Sequence, residues 1–199
     1  MAIHGPLKKR SGWCFIAFIF ACCISGVAGC DNIVNEFAFY PDTRNNLSTE
    51  QLPPGVEEIF IPAADDIRLQ AYYLARPDSP TLLILFHGNA GNISYRLEDI
   101  LRLQKCGAGV LAVSYRGYGK SSGTPSEQGL YADGVAALAY AVQDLGYALD
   151  KIIILGRSIG TTVAVHTAMD QDIAGLILVT PLTSAKDHAK AHGMGLLAF

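Results

Sequence analysis

The segment from Ile152 to Val165 constrains the fold more than any other part of the sequence. Apolar residues come first, then a Gly-x-Ser-x-Gly pentapeptide centred on Ser158, and then small or β-branched residues at helical spacing. This order predicts a buried strand, a sharp turn and a helix. A β-carbon at Gly156 or Gly160 would collide with backbone where the helix packs on the strand. We therefore interpret the pentapeptide as a nucleophile elbow, rather than as a chance match in a loop.

Composition limits the size and class of the protein. The chain has 199 residues and is half hydrophobic, which is enough for one sizeable core and too little for two. The formal net charge is −3, and basic residues do not cluster beyond the N-terminus, so nothing indicates a nucleic-acid partner. Four of the five cysteines fall within the first thirty residues, which excludes a disulfide framework inside the folded domain.

The first 29 residues are interpreted as a secretory signal peptide. Three basic residues, Lys8 to Arg10, precede an apolar run from Trp13 to Ile24, and small residues follow. A dozen residues in a helix cover about 18 Å, which is shorter than the roughly 30 Å hydrocarbon core, so a membrane helix is the less favoured alternative. The tetrad from Val27 to Cys30 resembles the lipobox of bacterial lipoproteins, in which the cysteine is lipidated and becomes the first mature residue.

The lipobox resemblance implies that Cys30 carries acyl chains, and two or more chains give durable membrane attachment. Asp31 resembles an inner-membrane retention signal. We therefore expect the protein to be lipid-anchored in the bacterial cell envelope, on the periplasmic face of the inner membrane. Residues 30–54 are polar and contain three prolines, and we expect a tether there. Within it, Phe37, Phe39 and Tyr40 are expected either to pack on the domain or to lie near lipid.

Residues 55–199 alternate between strand and helix patterns, which predicts one doubly wound α/β domain with its binding site at the carboxyl ends of the strands. Two partly alternating strands, Glu57–Pro62 and Ile67–Ala75, should be antiparallel at one side of the sheet. Four others are nearly continuous in apolar residues, as parallel strands buried on both faces are. They are predicted over Leu82–Phe86, Val110–Val113, Ile152–Leu155 and Leu176–Val179, with helices over Ile93–Cys106, Pro125–Leu145 and Ile159–Met169. A capping box from Thr124 to Glu127 is expected to open the second helix.

Three glycine-rich loops should meet at one rim, because each follows the carboxyl end of an apolar strand. They read His-Gly-Asn-Ala-Gly-Asn from His87, Tyr-Arg-Gly-Tyr-Gly-Lys-Ser-Ser-Gly from Tyr115, and the elbow around Ser158. This set, in this order, resembles the α/β-hydrolase family over about Glu57 to Phe199. It is most similar to the serine hydrolases that include bacterial Bem-like proteins and eukaryotic protein depalmitoylases. The resemblance implies a mostly parallel sheet with helices on both faces.

The same resemblance implies a hydrolase of acyl esters or thioesters, with amides possible, that needs no cofactor and no metal. Its substrate would be a small acyl compound or an acylated protein. Ser158 would be the nucleophile, and the backbone N–H groups of Ile159 and Asn89 would form the oxyanion hole. His87 could be a general base, but in the family the corresponding histidine shapes the loop. Structural roles near the site are therefore expected for His87, Gly88, Gly156 and Gly160.

Other candidate residues are weaker. His166 would lie about 12 Å beyond Ser158 along the helix, too far to reach its hydroxyl. The loop from Tyr115 to Tyr118 is expected either to line the pocket or to form a well-packed turn. The Asn-Gly loop lacks the Gly-x-x-x-x-Gly-Lys spacing of a phosphate cradle.

The family takes its triad acid after the seventh strand and its base after the eighth, whereas this sequence ends after the sixth predicted strand. Asp187, His188 and His192 follow that strand but do not match the triad positions. We therefore expect a truncated hydrolase that lacks the last strands, the acid and the base, with impaired activity and an exposed apolar edge. The alternative is a non-catalytic lipoprotein that keeps the fold and binds without chemistry. The sequence leaves the oligomeric state open.

Overall fold

The computed structural model describes residues 39–182, which form a six-stranded sheet with helices on both faces. The strands are β1 (Glu57–Pro62), β2 (Arg68–Leu74), β3 (Leu82–Phe86), β4 (Gly109–Val113), β5 (Ile152–Arg157) and β6 (Gly175–Val179). Their order across the sheet is β1-β2-β4-β3-β5-β6. β2 is antiparallel to both β1 and β4, and the remaining neighbours are parallel. The predicted mostly parallel α/β architecture is confirmed.

The continuous apolar strands lie at the centre of the sheet. All five residues of β3 and all five of β4 are buried. A strand reads as an unbroken apolar run when both of its faces are covered. The predicted positions of these strands agree with the structure to within one residue at their N-terminal ends.

Three α-helices supply the cover: α1 (Leu97–Gln104), α2 (Glu127–Gln143) and α3 (Gly160–Ala168). Residues of α2 and α3 share one core cluster with Ile84 and Phe86 of β3. Ile100 of α1 belongs to a second cluster, with Leu83 and Leu85, whose side chains point to the opposite face of the same strand. No helix within residues 39–182 is long and apolar enough to cross a membrane.

The start of α2 differs from the prediction. The helix begins at Glu127, and its N-cap is Ser126, whose hydroxyl accepts a hydrogen bond from the backbone N–H of Gly129. The capping box that was expected to start at Thr124 is therefore wrong. Pro125 belongs to the preceding turn, where a β-carbon at Gly117 would lie 2.6 Å from its Cδ. The predicted first helix also begins later, because residues 93–96 form a 3-10 turn before α1.

The segment predicted as a tether is described from Phe39 onward, and there it packs on the domain. Phe39 is 4% exposed and belongs to the core cluster on the α2 and α3 face. Tyr40–Pro41 forms a two-residue parallel pair with Ala90–Gly91. Burial of an aromatic ring and pairing of backbone groups outweigh the polar composition from which the tether was predicted. Cys30, Phe37 and the signal-peptide segment lie outside the described residues.

The other side of the sheet ends at β6 within the described part of the chain. Among residues 39–182, β6 pairs with β5 alone. Its four apolar residues, Leu176 to Val179, are each 38–43% exposed.

Candidate active site

Ser158 lies at the turn between β5 and α3 and has a strained backbone. Its φ is +53°, in the left-handed region that costs a residue with a side chain about 1–2 kcal/mol. The backbone N–H of Ser158 donates to the carbonyl oxygen of Val179 at 2.9 Å, which ties the turn to β6. The side chain is half-buried. The strand, sharp turn and helix predicted from the pentapeptide are therefore present.

The two glycines of the pentapeptide allow this turn to pack closely. A β-carbon at Gly156 would overlap the carbonyl oxygen of Gly160. A β-carbon at Gly160 would overlap the carbonyl oxygen of Phe86, at the end of β3, and would lie 2.8 Å from that of His87. These contacts bring α3 against β5 and against the loop that follows β3.

The predicted oxyanion donors, Ile159 and Asn89, directly follow Ser158 and Gly88, and these two residues lie close together. Ile159 is buried and is the N-cap residue of α3, where backbone N–H groups have no partner within the helix. In the loop after β3, a β-carbon at Gly88 would lie 3.6 Å from Cβ of Ser158, and Asn89 is the next residue. The role of these amides as donors to a substrate stays a prediction.

His87 is buried below the rim. Its Nδ1–H donates to the carbonyl oxygen of Gly88 at 2.6 Å, and its ring packs against Tyr115 and Tyr118 at centroid distances of 4.6 and 5.4 Å. Burial lowers the pKa of His87 from 6.5 to about 4, so the ring is neutral at pH 7. Its Nε2 has no hydrogen-bond partner within residues 39–182. A buried ring that packs on two tyrosines fits the structural role predicted for His87.

The loop after β4, for which pocket lining and a well-packed turn were the two alternatives, is a packed turn. Tyr115 and Tyr118 are fully buried, and the Tyr115 hydroxyl donates to the carbonyl oxygen of His87 at 2.8 Å. Arg116 lies against Asp133 of α2, with its backbone N–H and its Nε donating to the carboxylate at 2.8 and 2.9 Å. Burial raises the pKa of Asp133, and the hydrogen bonds from Arg116 oppose the rise.

Sequence reasoning missed two sets of residues near the site. Asp133 is fully buried within an otherwise apolar part of α2, and that contrast was a usable signal for a structural ion pair. The second set lies before β1, where the backbone N–H of Tyr40 donates to the side-chain oxygen of Asn89 at 3.0 Å. The polar composition of the segment gave no indication of this contact.

The one remaining candidate among the described residues is His166, which packs against another ring. His166 stacks on Tyr131, with ring centroids 4.4 Å apart and planes 1° from parallel. Asp187, His188 and His192 lie outside the described residues. Within residues 39–182, no histidine or carboxylate hydrogen-bonds the Ser158 hydroxyl, and no group of three or more His, Cys, Asp or Glu could hold a metal ion.

A cavity of about 320 Å³ lies on the α1 face of the sheet. Leu85, Leu155 and Val179 form part of its lining, and Gly88 and Arg157 also contribute. Ser158 is not among its lining residues, so we assign this cavity no part in the chemistry of the serine.

The sequence of this chain is similar to a known protein family and to several known proteins. The family model for the alpha/beta hydrolase fold matches residues 81–199. Protein bem46 of Schizosaccharomyces pombe is 39% identical over 163 residues, which are 78% of this chain and 54% of that protein. Alpha/beta hydrolase domain-containing protein WAV2 of Arabidopsis thaliana is 40% identical over 139 residues, which are 67% of this chain and 45% of that protein. This chain thus spans about half the length of the curated relatives it matches.

A solved structure agrees with the sequence relatives. The alpha-beta hydrolase of Vibrio vulnificus is similar with a TM-score of 0.68 and 26% sequence identity. The match covers all of this chain and 71% of that one.

Proposed function

The chain belongs to the alpha/beta hydrolase family, and on that premise we propose that it is a serine hydrolase of acyl esters or thioesters, with Ser158 as the nucleophile. The observation that carries this proposal is the strained backbone of Ser158, whose φ is +53° at the turn from β5 into α3. Strain of this kind persists only where the surrounding structure enforces it, and it is concentrated at functional sites.

In the proposed reaction, Oγ of Ser158 attacks the carbonyl carbon of the acyl group, and the carbonyl oxygen becomes an oxyanion. The backbone N–H groups of Ile159 and Asn89 donate hydrogen bonds to that oxygen. Removal of one donor of this kind typically costs about 2.7–4 kcal/mol of transition-state stabilisation. A base takes the proton of Oγ and returns it to the departing alcohol or thiol as the tetrahedral intermediate collapses. Water then attacks the acyl-serine, which releases the carboxylic acid and restores the serine hydroxyl. Esters and thioesters are proposed as substrates in preference to amides, because alkoxides and thiolates are better leaving groups than amide nitrogens.

The reaction also needs a base for the serine proton. The two histidines of residues 39–182 are both engaged elsewhere, since His87 packs on Tyr115 and His166 stacks on Tyr131. The proposed base therefore lies outside the described residues. This same observation favours the second candidate function, a non-catalytic protein that keeps the fold and binds an acyl ligand.

Membrane attachment is a separate proposal. We propose that acyl chains on Cys30 anchor the protein to the bacterial cell envelope, with the inner membrane preferred because Asp31 follows. The lipobox-like sequence before Cys30 supports it. Growth with an alkyne-tagged fatty acid should label the protein, and Cys30→Ser should abolish the label. A label that persists in Cys30→Ser would contradict this site.

Labelling with a fluorophosphonate probe, which captures activated serines, tests the hydrolase proposal. We expect slow modification of Ser158, because impaired activity is expected of this chain, and the signal should disappear in Ser158→Ala. Ser79→Ala is the matched control, because it removes a loop serine hydroxyl far along the chain from the elbow, and it should label like the parent. Absence of Ser158-dependent labelling would overturn the hydrolase proposal and favour the binding protein.

A further inference from the structure

We infer that Tyr118 and the segment before β1 position the oxyanion loop, residues 87–92, by holding the side-chain oxygen of Asn89 from two sides. The inference rests on the proposed function of Ser158, and it identifies positioning residues that the nucleophile motif does not contain.

Two donors meet at one oxygen. The hydroxyl of Tyr118 donates to Oδ1 of Asn89 at 2.8 Å, and the backbone N–H of Tyr40 donates to the same atom at 3.0 Å. An amide oxygen has two lone pairs, and these two donors use both. The donors come from two different chain segments, so the Asn89 side chain is tied both to the loop after β4 and to the segment before β1.

Tyr118 is suited to this role because its own position is fixed. The residue is fully buried, and its ring packs edge-on against His87 and Tyr115 at centroid distances of 5.4 and 5.7 Å. Burial also raises the pKa of the Tyr118 hydroxyl, which therefore remains protonated and able to donate at neutral pH.

The segment before β1 reaches the same loop through its backbone. Besides the parallel pair with Ala90–Gly91, the N–H of Asp42 donates to the carbonyl oxygen of Gly91 at 3.2 Å. The carbonyl oxygen of Asp42 accepts from the N–H of Gly119 and from Nδ2 of Asn92, each at 3.0 Å. One short segment thus joins the oxyanion loop to the loop that carries Tyr118.

The consequence concerns the backbone N–H of Asn89. Displacement of a catalytic group by about 1 Å can reduce a rate about a hundredfold. A side chain that is held at Oδ1 restricts the rotation of its own backbone, which keeps the N–H in the position that the proposed oxyanion hole requires. Release of this hold should slow the reaction of Ser158 without changing the serine, its base or the initial binding of a small probe.

Tyr118→Phe tests the inference, because it removes the hydroxyl and keeps the ring. Tyr131→Phe is the matched control, since the Tyr131 hydroxyl donates to Glu127 at 2.7 Å and has no contact with the loop. Amide hydrogen exchange is measured first. Loss of one neutral hydrogen bond should raise exchange in residues 87–92 about fivefold in Tyr118→Phe, with no rise in Tyr131→Phe.

Fluorophosphonate kinetics are measured on the same proteins over a range of probe concentration and pH. The maximal rate of Ser158 modification should fall at least about tenfold in Tyr118→Phe, while the half-saturating probe concentration and the pH midpoint remain those of the parent. A general loss of folding would instead raise exchange in β3 and β4 as well, and that result would overturn the inference.

Two further outcomes are decisive. Unchanged exchange in residues 87–92, or faster exchange with an unchanged modification rate, would overturn the positioning role. Absence of Ser158-dependent labelling in the parent would overturn the proposed function and with it the catalytic part of the inference. The exchange experiment would still decide, by itself, whether Tyr118 holds the loop.

Discussion

Gly156 of β5 faces the carbonyl oxygen of Gly160 in α3 with no space for a β-carbon between them. A β-carbon at Gly156 would also lie 2.7 Å from Cβ of Ala164. Two of the three nearest atoms are the carbonyl oxygen and carbon of Gly160, and the third is the Cβ of Ala164, so rotamer changes offer no relief. The closeness of β5 and α3, and therefore the sharpness of the turn at Ser158, depends on this contact.

We predict that Gly156→Ala lowers the free energy of unfolding by about 1–3 kcal/mol, because strand and helix must separate to admit the methyl group. Urea denaturation measures the change. Gly175→Ala in β6 is the control, since nothing lies within 4 Å of a β-carbon there, and it should change stability by less than about 0.5 kcal/mol. Equal effects of the two substitutions would contradict the predicted contact.

The strain at Ser158 predicts an order of stability between two inactive variants. Ser158→Gly and Ser158→Ala both remove the nucleophile, but only glycine relieves the cost of a φ of +53°. We expect Ser158→Gly to be more stable than Ser158→Ala by about 1 kcal/mol in thermal or urea unfolding. At Ser79, which does not have a positive φ, the same pair should show alanine at least as stable as glycine. An alanine variant that matches glycine at position 158 would argue against strain.

We predict that the free energy of unfolding depends on pH through His87. Burial lowers its pKa to about 4, whereas in the unfolded chain the ring takes up a proton near pH 6.5. The unfolded state therefore binds more protons between these values, so this contribution is fully present above pH 6.5 and is lost as the pH falls toward 4. The loss amounts to about 3 kcal/mol in total.

His87→Phe isolates this effect, because carboxylates titrate alike in parent and variant. Between pH 7.5 and 4.5, the parent should lose about 2–3 kcal/mol more of its free energy of unfolding than His87→Phe does. Parallel stability curves would show that His87 does not remain neutral on folding.

We predict that the side chain of Asn92 holds the segment before β1 in place. The residue is fully buried, its Nδ2 donates to the carbonyl oxygens of Asp42 and Asn45 at 3.0 and 3.3 Å, and its Oδ1 accepts from the N–H of Ser94. Asn92→Asp keeps the acceptor but places a carboxylate oxygen against the two carbonyl oxygens. We expect a loss of about 1–3 kcal/mol and faster amide exchange in residues 39–46.

Gln128→Glu is the control for Asn92→Asp, because it adds the same charge at an exposed position in the first turn of α2. It should leave exchange in residues 39–46 unchanged and stability unchanged or slightly raised. Exchange in that segment that is the same in both variants would show that Asn92 does not hold it.

Local patterns predicted the elements well where a single physical cause acts within a few residues. The apolar runs of β3 and β4 report burial on both faces, and the glycine spacing around Ser158 reports a tight turn with a helix close to a strand. The start of α2 failed for the opposite reason. The hydroxyls of Thr124 and Ser126 were both available as caps. Pro125 packs beside Gly117 before the helix, and the Ser126 hydroxyl accepts the hydrogen bond from the helix N-terminus.

By itself, the sequence determined the mostly parallel sheet, the turn at Ser158 and the placing of three loops on one rim, because apolar periodicity and glycine position are local properties of a chain. Only the tertiary structure decided what holds those loops. Asn89 finds its partners 29 residues later at Tyr118 and 49 residues earlier at Tyr40. Such contacts depend on strand order and on the path of a polar segment across the rim. A hydrogen bond between residues far apart in the chain leaves no periodic pattern in the sequence around either residue.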